Sequence, residues 1–182
     1  MNHFPEFFDF ILAPNNDGQP YHLDPRDPGG MTAWGVIAAT WASYHGKPLA
    51  WATKARMQKI TREDVRPIYR QEYWDRWRCD ELPAGIDLVV ADMSCGNMVQ
   101  APIILQRLLG VAQDGKIGPI TVAKAHAVRD VAGFLDRYET GRIAFYRTLS
   151  TWPIYGGGWS RRAREATALG KRLAGVGMPV AA

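Results

Sequence analysis

Along most of the chain, hydrophobic residues recur at the three- and four-residue spacing of amphipathic α-helices. A Phe-rich run from Phe4 to Leu12 predicts a short helix that Pro14 ends. The stretch from Val36 to Tyr44 predicts a second helix. Thr61-Arg-Glu-Asp64 resembles a capping box, and we expect the helix that it opens to continue to about Trp77.

The second half of the sequence predicts further helices, separated by short polar or Gly-containing turns. They cover Leu82 to Met93, Val99 to Leu109, a segment that begins at Pro119, Arg129 to Leu149, and Trp159 to Leu173. Room for strands remains only at Gly35 to Ile37 and in the loop around Tyr21. The fold class is therefore mainly α, with at most a small β-hairpin.

Residues 15–30 do not follow the helical pattern. These 16 positions hold three Pro, three Gly and three Asp, which predicts a succession of tight turns. A loop of this length in a compact domain is usually functional or disordered. Tyr21 within the loop and the apolar run after it favour an ordered, functional loop.

The composition fits one globular unit of ordinary size, since 47% of the 182 residues are hydrophobic and 22% are charged. The formal net charge is +4, and residues 151–182 carry the excess, with five basic residues and one acidic residue. A chain that is neutral over its first 150 residues is not typical of a nucleic-acid-binding protein. We expect a basic last helix, which either attracts the protein to a polyanionic surface or is a solvated helix face without a binding role.

Several kinds of chemistry lack their motifs in this sequence. The four histidines show no zinc-binding spacing, and G-x-S-x-G, P-loop and dinucleotide glycine patterns are absent. We therefore expect no metal and no cofactor. Cys79 and Cys95 are interpreted as free thiols. The sequence shows neither a secretory signal nor a run of about 20 apolar residues, so we expect no membrane insertion.

Carboxylates are the remaining candidates for catalysis. Asp17, Asp24 and Asp27 lie in the long loop, beside Tyr21, His22 and Thr32. Glycosidic bond cleavage needs a pair of carboxyl groups, one protonated to donate to the leaving oxygen and one ionised. Acidic residues in a loop rich in Gly and Pro also form Asx turns, so their presence alone leaves both interpretations open.

Five sequence motifs, in order, resemble those of glycoside hydrolase family 108, the phage and bacterial N-acetylmuramidases of lysozyme-like fold. They are Asp24-Pro-Arg-Asp-Pro-Gly-Gly-Met-Thr-Ala-Trp-Gly-Val36, Tyr69-Arg-Gln-Glu-Tyr-Trp-Asp75, Cys79-Asp-Glu-Leu-Pro83 followed by Asp92, Leu105-Gln-Arg-Leu-Leu-Gly110 with Asp114-Gly-Lys-Ile-Gly-Pro-Ile-Thr121, and Gly158-Trp-Ser-Arg-Arg162. The resemblance covers about residues 8–165. It implies a lysozyme-like catalytic region at 1–98 and a helical peptidoglycan-binding-like region at 99–182, packed on it.

The resemblance also implies site residues. Asp27 and Thr32 belong to the matched 24–36 motif, and our hypothesis is that Asp27 is ionised and, with the Thr32 hydroxyl, orients the attacking water. The family's general acid is a Glu nine residues before Asp27, a position that Gly18 holds here, so Asp17 is the candidate acid. The candidate substrate-binding residues are Tyr21, His22, Gly29, Gly30, Trp34 and Asn97. Packing remains an alternative for Tyr21 and Trp34, as does a turn for His22, and the Asn97 position is shifted by one from the family pattern.

The function implied is hydrolysis of the β-1,4 bond between N-acetylmuramic acid and N-acetylglucosamine, for lysis of bacterial cells. The expected partner is the peptidoglycan glycan strand, with no nucleic acid, and we expect a monomer. Because no signal is found, a holin or a secretion apparatus would have to release the protein from the cytoplasm to the wall. The alternatives are a lytic transglycosylase and a wall-binding module that has lost its acid.

Overall fold

The computed structural model describes residues 2–23, 29–96 and 99–176, and this part of the chain is mainly α-helical. Its α-helices are α1 (Phe4–Ile11), α2 (Ala38–Tyr44), α3 (Lys54–Met57), α4 (Arg62–Tyr69), α5 (Ile86–Gly96), α6 (Gln100–Leu109), α7 (Pro119–His126), α8 (Val131–Tyr146) and α9 (Trp152–Leu173). One antiparallel hairpin joins β1 (Thr32–Ala33) to β2 (Val36–Ile37). The expected class, mainly α with a small hairpin, is confirmed.

The chain forms two compact units. The N-terminal unit is Phe8–Glu72, and the helical unit combines Met1–Phe7 with Tyr73–Ala182. This division by packing differs from the expected one at 98/99, because α5 packs against α6, α8 and α9.

The N-terminal unit contains the hairpin and α2 to α4. The capping box expected at the start of α4 is present: the Asp64 amide donates to the Thr61 hydroxyl, and the Asp64 carboxylate accepts from the Thr61 amide. Val65, Ile68 and Tyr69 are the buried residues of α4. The Tyr69 ring meets the Phe8 ring edge-on, with 5.8 Å between centroids.

Two expected helix boundaries are wrong in this part of the chain. The helix expected from Val36 begins at Ala38, because Val36–Ile37 pair with Thr32–Ala33 as a hairpin. The helix expected to reach Trp77 is regular only to Tyr69. A wider π-helical turn follows at Arg70–Trp74, and a 3₁₀ turn at Asp75–Trp77.

The helical unit is built around α5, in which all residues from Ile86 to Ser94 are buried. A helix buried on all sides has to satisfy any charge that it carries. Asp92 on α5 does so with two guanidinium groups, Arg142 on α8 at 2.5 Å and Arg162 on α9 at 2.9 Å. Burial raises the pKa of Asp92, but the two guanidinium groups outweigh it and hold this pKa below its usual value.

The last helix begins earlier than expected, at Trp152 rather than Trp159. It includes Gly156, where a Cβ would lie 2.5 Å from the Trp152 indole, so glycine here makes room for the ring. The ion pairs also alter the expected basic surface. Arg162 is bound to buried Asp92, and Lys171 is paired with Asp136.

Hydrogen bonds from Gln106 join the turn at Asp114–Lys116 to α6. Gln106 donates to the Asp114 carboxylate at 2.6 Å and to the Lys116 carbonyl at 2.9 Å, and it accepts from the Gly115 amide.

The two cysteines, Cys79 and Cys95, are both free thiols, as the sequence predicts. In the described ranges, no helix combines the length and the apolar character that crossing a membrane requires.

Candidate active site

The segment that carries the candidate acid folds back onto the end of α1. The Asp17 amide donates to the Ile11 carbonyl at 2.9 Å, and the Gly18 amide donates to the Ala13 carbonyl at 3.2 Å. Carbonyls at the end of a helix lack partners within the helix, so the bond to Ile11 serves both the helix and the loop, while the bond to Ala13 closes the turn that follows. They set the position of the Asp17 backbone.

Position 18 has no room for a side chain. A Cβ built on Gly18 would lie 2.1 Å from the Leu12 carbonyl oxygen and 2.7 Å from that of Ala13. Gly18 stands at the spacing, nine residues before Asp27, at which the family has its Glu. A Glu therefore does not fit there in this backbone, and the adjacent carboxylate is that of Asp17.

A tight two-residue turn, Trp34–Gly35, joins the two strands. Ala33 pairs with Val36, and the two turn residues have φ values of 49° and 74°. Two left-handed residues in succession correspond to a type I′ turn, whose twist suits a hairpin but which usually contains Asn and Gly. A tryptophan in this conformation is strained, so its surroundings have to hold it.

Three hydrogen bonds hold Trp34 in place. Its amide donates to the Gln19 carbonyl at 2.9 Å, and its indole Nε1 donates to the Ile60 carbonyl at 3.0 Å. Its own carbonyl accepts from the buried Tyr69 hydroxyl at 3.0 Å. The indole N–H is thus used inside the fold. This supports the packing interpretation of Trp34 for that end of the ring, while the side chain as a whole is half-buried.

Asp17 lies directly against this turn. A Cβ at Gly35 would be 2.7 Å from Asp17 Cβ, 3.3 Å from Asp17 Cγ and 2.2 Å from the Tyr69 hydroxyl oxygen. Glycine at position 35 therefore permits both the left-handed conformation and the approach of the carboxylate. The turn, Tyr69 and Asp17 form one packed group, which we call the acid cradle.

Thr32 is buried beside the long loop. Its backbone exchanges two hydrogen bonds with His22, at 2.9 and 3.0 Å, and its hydroxyl donates to the Gly30 carbonyl at 3.1 Å. Gly30 has a φ of 69°, so this bond holds a left-handed residue. Since the hydroxyl proton is used in this way, the Thr32 oxygen is left to accept a hydrogen bond, for example from a water molecule.

Tyr21 and His22 carry hydrogen-bonding capacity that the described residues do not use. Within those ranges, the Tyr21 hydroxyl and His22 Nδ1 are buried and have no hydrogen-bond partner. Buried polar atoms are generally paired in folded proteins. These two buried atoms are exceptions to that rule among the described residues.

The structure places most of the candidate site residues in the N-terminal unit. Asp17 and Trp34 meet in the acid cradle, and Tyr21, His22, Gly30 and Thr32 belong to the same compact unit. Gly29 precedes Gly30 at the edge of the described loop. Asp27 and Asn97 lie outside the described residues.

Two residues of the cradle were not among the sequence candidates. Tyr69 belongs to the Tyr69–Asp75 motif, and the role of its hydroxyl depends on contacts that only the fold brings together. Gly35 belongs to the 24–36 motif. As to metals, the described ranges contain no cluster of three or more His, Cys, Asp or Glu side chains that would hold an ion.

Two family models match the chain. Residues 10–97 match glycosyl hydrolase 108, and residues 100–164 match a predicted peptidoglycan domain. Among solved structures, Brucella abortus SagA is similar, with 28% sequence identity and a TM-score of 0.80 over 94% of this chain and 93% of that one. No curated protein matches the sequence significantly.

These matches cover the same motifs, in the same order, as the resemblance in the sequence. The mainly helical fold agrees with the solved relative over nearly the whole chain. Residues 10–97 therefore form a glycosyl hydrolase 108 domain, and a predicted peptidoglycan domain follows it at residues 100–164.

Proposed function

We propose that this protein is an N-acetylmuramidase that hydrolyses the β-1,4 bond between N-acetylmuramic acid and N-acetylglucosamine, and so lyses bacterial cells. The family and the peptidoglycan domain support a glycoside hydrolase that acts on peptidoglycan. The observation that carries the finer proposal is the acid cradle: Asp17 packs against the Trp34–Gly35 turn, while position 18 has no room for the family's Glu.

In this mechanism Asp17 is the general acid, and it protonates the bridging oxygen as the sugar bond breaks. Asp27 stays ionised and, with the Thr32 oxygen as acceptor, orients the attacking water. The separation of the two carboxyl groups determines the stereochemistry. About 6.5–9.5 Å leaves room for a water and gives inversion, whereas about 5–5.5 Å gives retention.

The remaining candidates bind the glycan in this proposal. His22 pairs with Thr32 through the backbone, Tyr21 precedes it in the loop, and Trp34 offers the exposed part of its indole ring. Gly29, Gly30 and Asn97 complete the proposed substrate-binding set. We assign cleavage to residues 1–98 and wall binding to residues 99–182, acting together in a monomer.

The test is replacement of the acid. Asp17→Asn keeps the size of the side chain but removes the proton donor, and a positioned general acid contributes about 10²–10⁴-fold to rate. We expect clearance of purified sacculi to fall by about that factor. Glu6→Gln is the matched control, because Glu6 is an exposed carboxylate on α1 and outside the acid cradle. It should clear sacculi at the parental rate.

The products and the binding data separate the alternatives. Muramidase products end in reducing N-acetylmuramic acid, whereas a lytic transglycosylase forms 1,6-anhydro ends. A parent protein that pulls down sacculi without clearing them is a binding module. A folded Asp17→Asn variant with full activity would show that another carboxylate is the acid.

A further inference from the structure

A cleft of about 300 Å³ lies in the helical unit. The end of α6, the end of α7, the connection 127–130 and the first two turns of α8 form its walls. All of its lining residues fall within the range that matches the peptidoglycan domain. A volume of this size is at the lower limit for small-ligand sites and fits a short peptide segment better than a folded partner.

The floor of the cleft is apolar. Leu108, Leu109 and Val128 line it and remain partly exposed, and the buried Phe134 ring lies behind them. Partly exposed aliphatic side chains in a concave site gain free energy when a small apolar group covers them. The methyl group of an alanine is such a group.

The rim of the cleft is basic. Lys124, Arg129 and Arg137 contribute three positive charges, against the single carboxylate of Asp130. That carboxylate is already engaged, since it caps α8 by accepting from the Gly133 amide at 2.8 Å and lies 3.9 Å from Arg137. The cleft therefore carries a net positive charge.

Two of the three cations have no protein partner in the described ranges. Neither the Lys124 side chain nor the Arg129 side chain makes a hydrogen bond or an ion pair in these ranges, and both are exposed. Lys124 also lies in the last turn of α7, where a cation favours the helix dipole. That effect accounts for one charge, but not for Arg129, which lies beyond the helix and faces the same cleft.

We propose that this cleft binds the peptide stem of peptidoglycan, with stem carboxylates at Lys124 and Arg129 and an alanine methyl group on the apolar floor. The ligand is an acidic peptide, because charge complementarity favours carboxylates over an uncharged sugar. The choice of the wall peptide rests on the proposed function. The protein would then hold the wall by its peptides at this cleft, apart from the residues that cleave its glycan.

The test measures binding of a free stem tetrapeptide, L-Ala–γ-D-Glu–diaminopimelate–D-Ala, to the full chain by isothermal titration calorimetry. We expect Lys124→Ala/Arg129→Ala to weaken binding by about tenfold or more, since each charge-assisted hydrogen bond contributes more than a neutral one. The matched control is Lys47→Ala/Lys54→Ala, which removes two exposed cations of the N-terminal unit. It should leave the affinity unchanged.

A tetrapeptide with its carboxylates converted to amides is the second probe, and we expect it to bind at least about tenfold more weakly to the parent protein. Equal losses in the two double variants would overturn the proposal in favour of diffuse surface charge. It would also fail if the parent did not bind the tetrapeptide or bound the amidated form equally well. Because the tetrapeptide has no glycosidic bond, these results do not depend on whether the protein cleaves glycan.

Discussion

Asp17 packs against the one position of the hairpin turn where a side chain is not tolerated: a Cβ at Gly35 would lie 2.7 Å from Asp17 Cβ. The same Cβ would lie 2.2 Å from the Tyr69 hydroxyl, whose hydrogen bond holds the strained Trp34 carbonyl. The shape of the turn and the position of the proposed acid are therefore linked. Changes in the turn should alter both stability and activity.

Gly35→Ala tests this link. The new methyl group has to displace Asp17 or Tyr69, and alanine disfavours a φ of 74°, so we expect a loss of about 2–4 kcal/mol of unfolding free energy. Sacculus clearance should fall in the variant that remains folded. Gly46→Ala is the control, because Gly46 also has a positive φ but has no atom within 4 Å of the added Cβ among the described residues. We expect it to cost about 1 kcal/mol and to leave clearance intact.

Tyr69→Phe removes the hydroxyl that donates to Trp34. The phenyl ring still fills the core, but the Trp34 carbonyl loses its partner, and we expect a cost of about 1–3 kcal/mol in chemical denaturation. Because the turn also positions Asp17, kcat should fall more than KM changes. The control is Tyr44→Phe, which alters an exposed hydroxyl on α2. Equal effects of the two variants would contradict a positioning role for Tyr69.

A Glu, which is the family's general acid, should be tolerated at position 17 but not at position 18. Asp17→Glu lengthens the side chain by one methylene at a position where the carboxylate is already present, so we expect measurable sacculus clearance. Gly18→Glu should instead destabilise the fold, since its Cβ would lie 2.1 Å from the Leu12 carbonyl oxygen. Thermal unfolding and clearance assays on both variants check this. An active, stable Gly18→Glu protein would show that the loop adopts another register.

Asp92→Asn should be among the most destabilising single changes in the helical unit. It leaves the buried Arg142 without its counter-charge, and breaking a buried ion pair in this way costs about 3–5 kcal/mol. The control is Lys171→Met, which breaks the more exposed ion pair with Asp136. That pair joins α8 and α9, the two helices that supply the guanidinium groups to Asp92. That change should cost at most about 1 kcal/mol.

The buried Asp92 carboxylate also predicts a pH dependence of the unfolding free energy. The pKa of Asp92 is lowered in the folded protein, so its ionisation stabilises the fold above the unfolded value of about 4. That contribution is lost as the pH falls through the lowered pKa. Urea denaturation between pH 2 and 6 should show this loss in the parent protein and not in Asp92→Asn. Parallel curves for the two proteins would contradict it.

The pair of His3 and Asp87 predicts a pH dependence of the unfolding free energy that is opposite in sign to that of Asp92. Burial raises the pKa of Asp87, and the hydrogen bond from His3 Nδ1 at 2.7 Å offsets the shift only in part. In His3→Ala the carboxylate loses this partner, so its pKa should rise further. The variant should therefore lose more stability at pH 7, by about 1–3 kcal/mol, than at pH 4, where the carboxyl group is closer to neutral. In an Asp87→Asn background this pH dependence should disappear.

Local sequence patterns predict much of the fold. The capping box at Thr61 is correct, as is Pro119 at the start of α7, because both depend on residues within one helical turn. The mainly α class follows from periodicity in the same way, whereas the hairpin was expected only as the room left for strands at Gly35 to Ile37 and around Tyr21. The motif order between residues 24 and 162 also indicated the family correctly.

Elements whose geometry depends on distant partners were less predictable. The segment 62–77 has a helical pattern, yet it changes to π and 3₁₀ geometry after Tyr69, and the Trp74 indole beyond that point donates to Asp80. The basic character of the last helix was evident from sequence. Its pairing was not, because Asp92 lies 70 residues before Arg162.

The sequence by itself determined the helical periodicity, the turn-rich loop and the family motifs, since each is a property of neighbouring residues. Only the tertiary structure decided that Gly18 has no room for an acid, that Gly35 faces Asp17, and that Tyr69 holds the strained Trp34. These relationships join residues from separate parts of the chain. Close packing and the need to pair buried polar groups arise only when those parts come together in the folded protein.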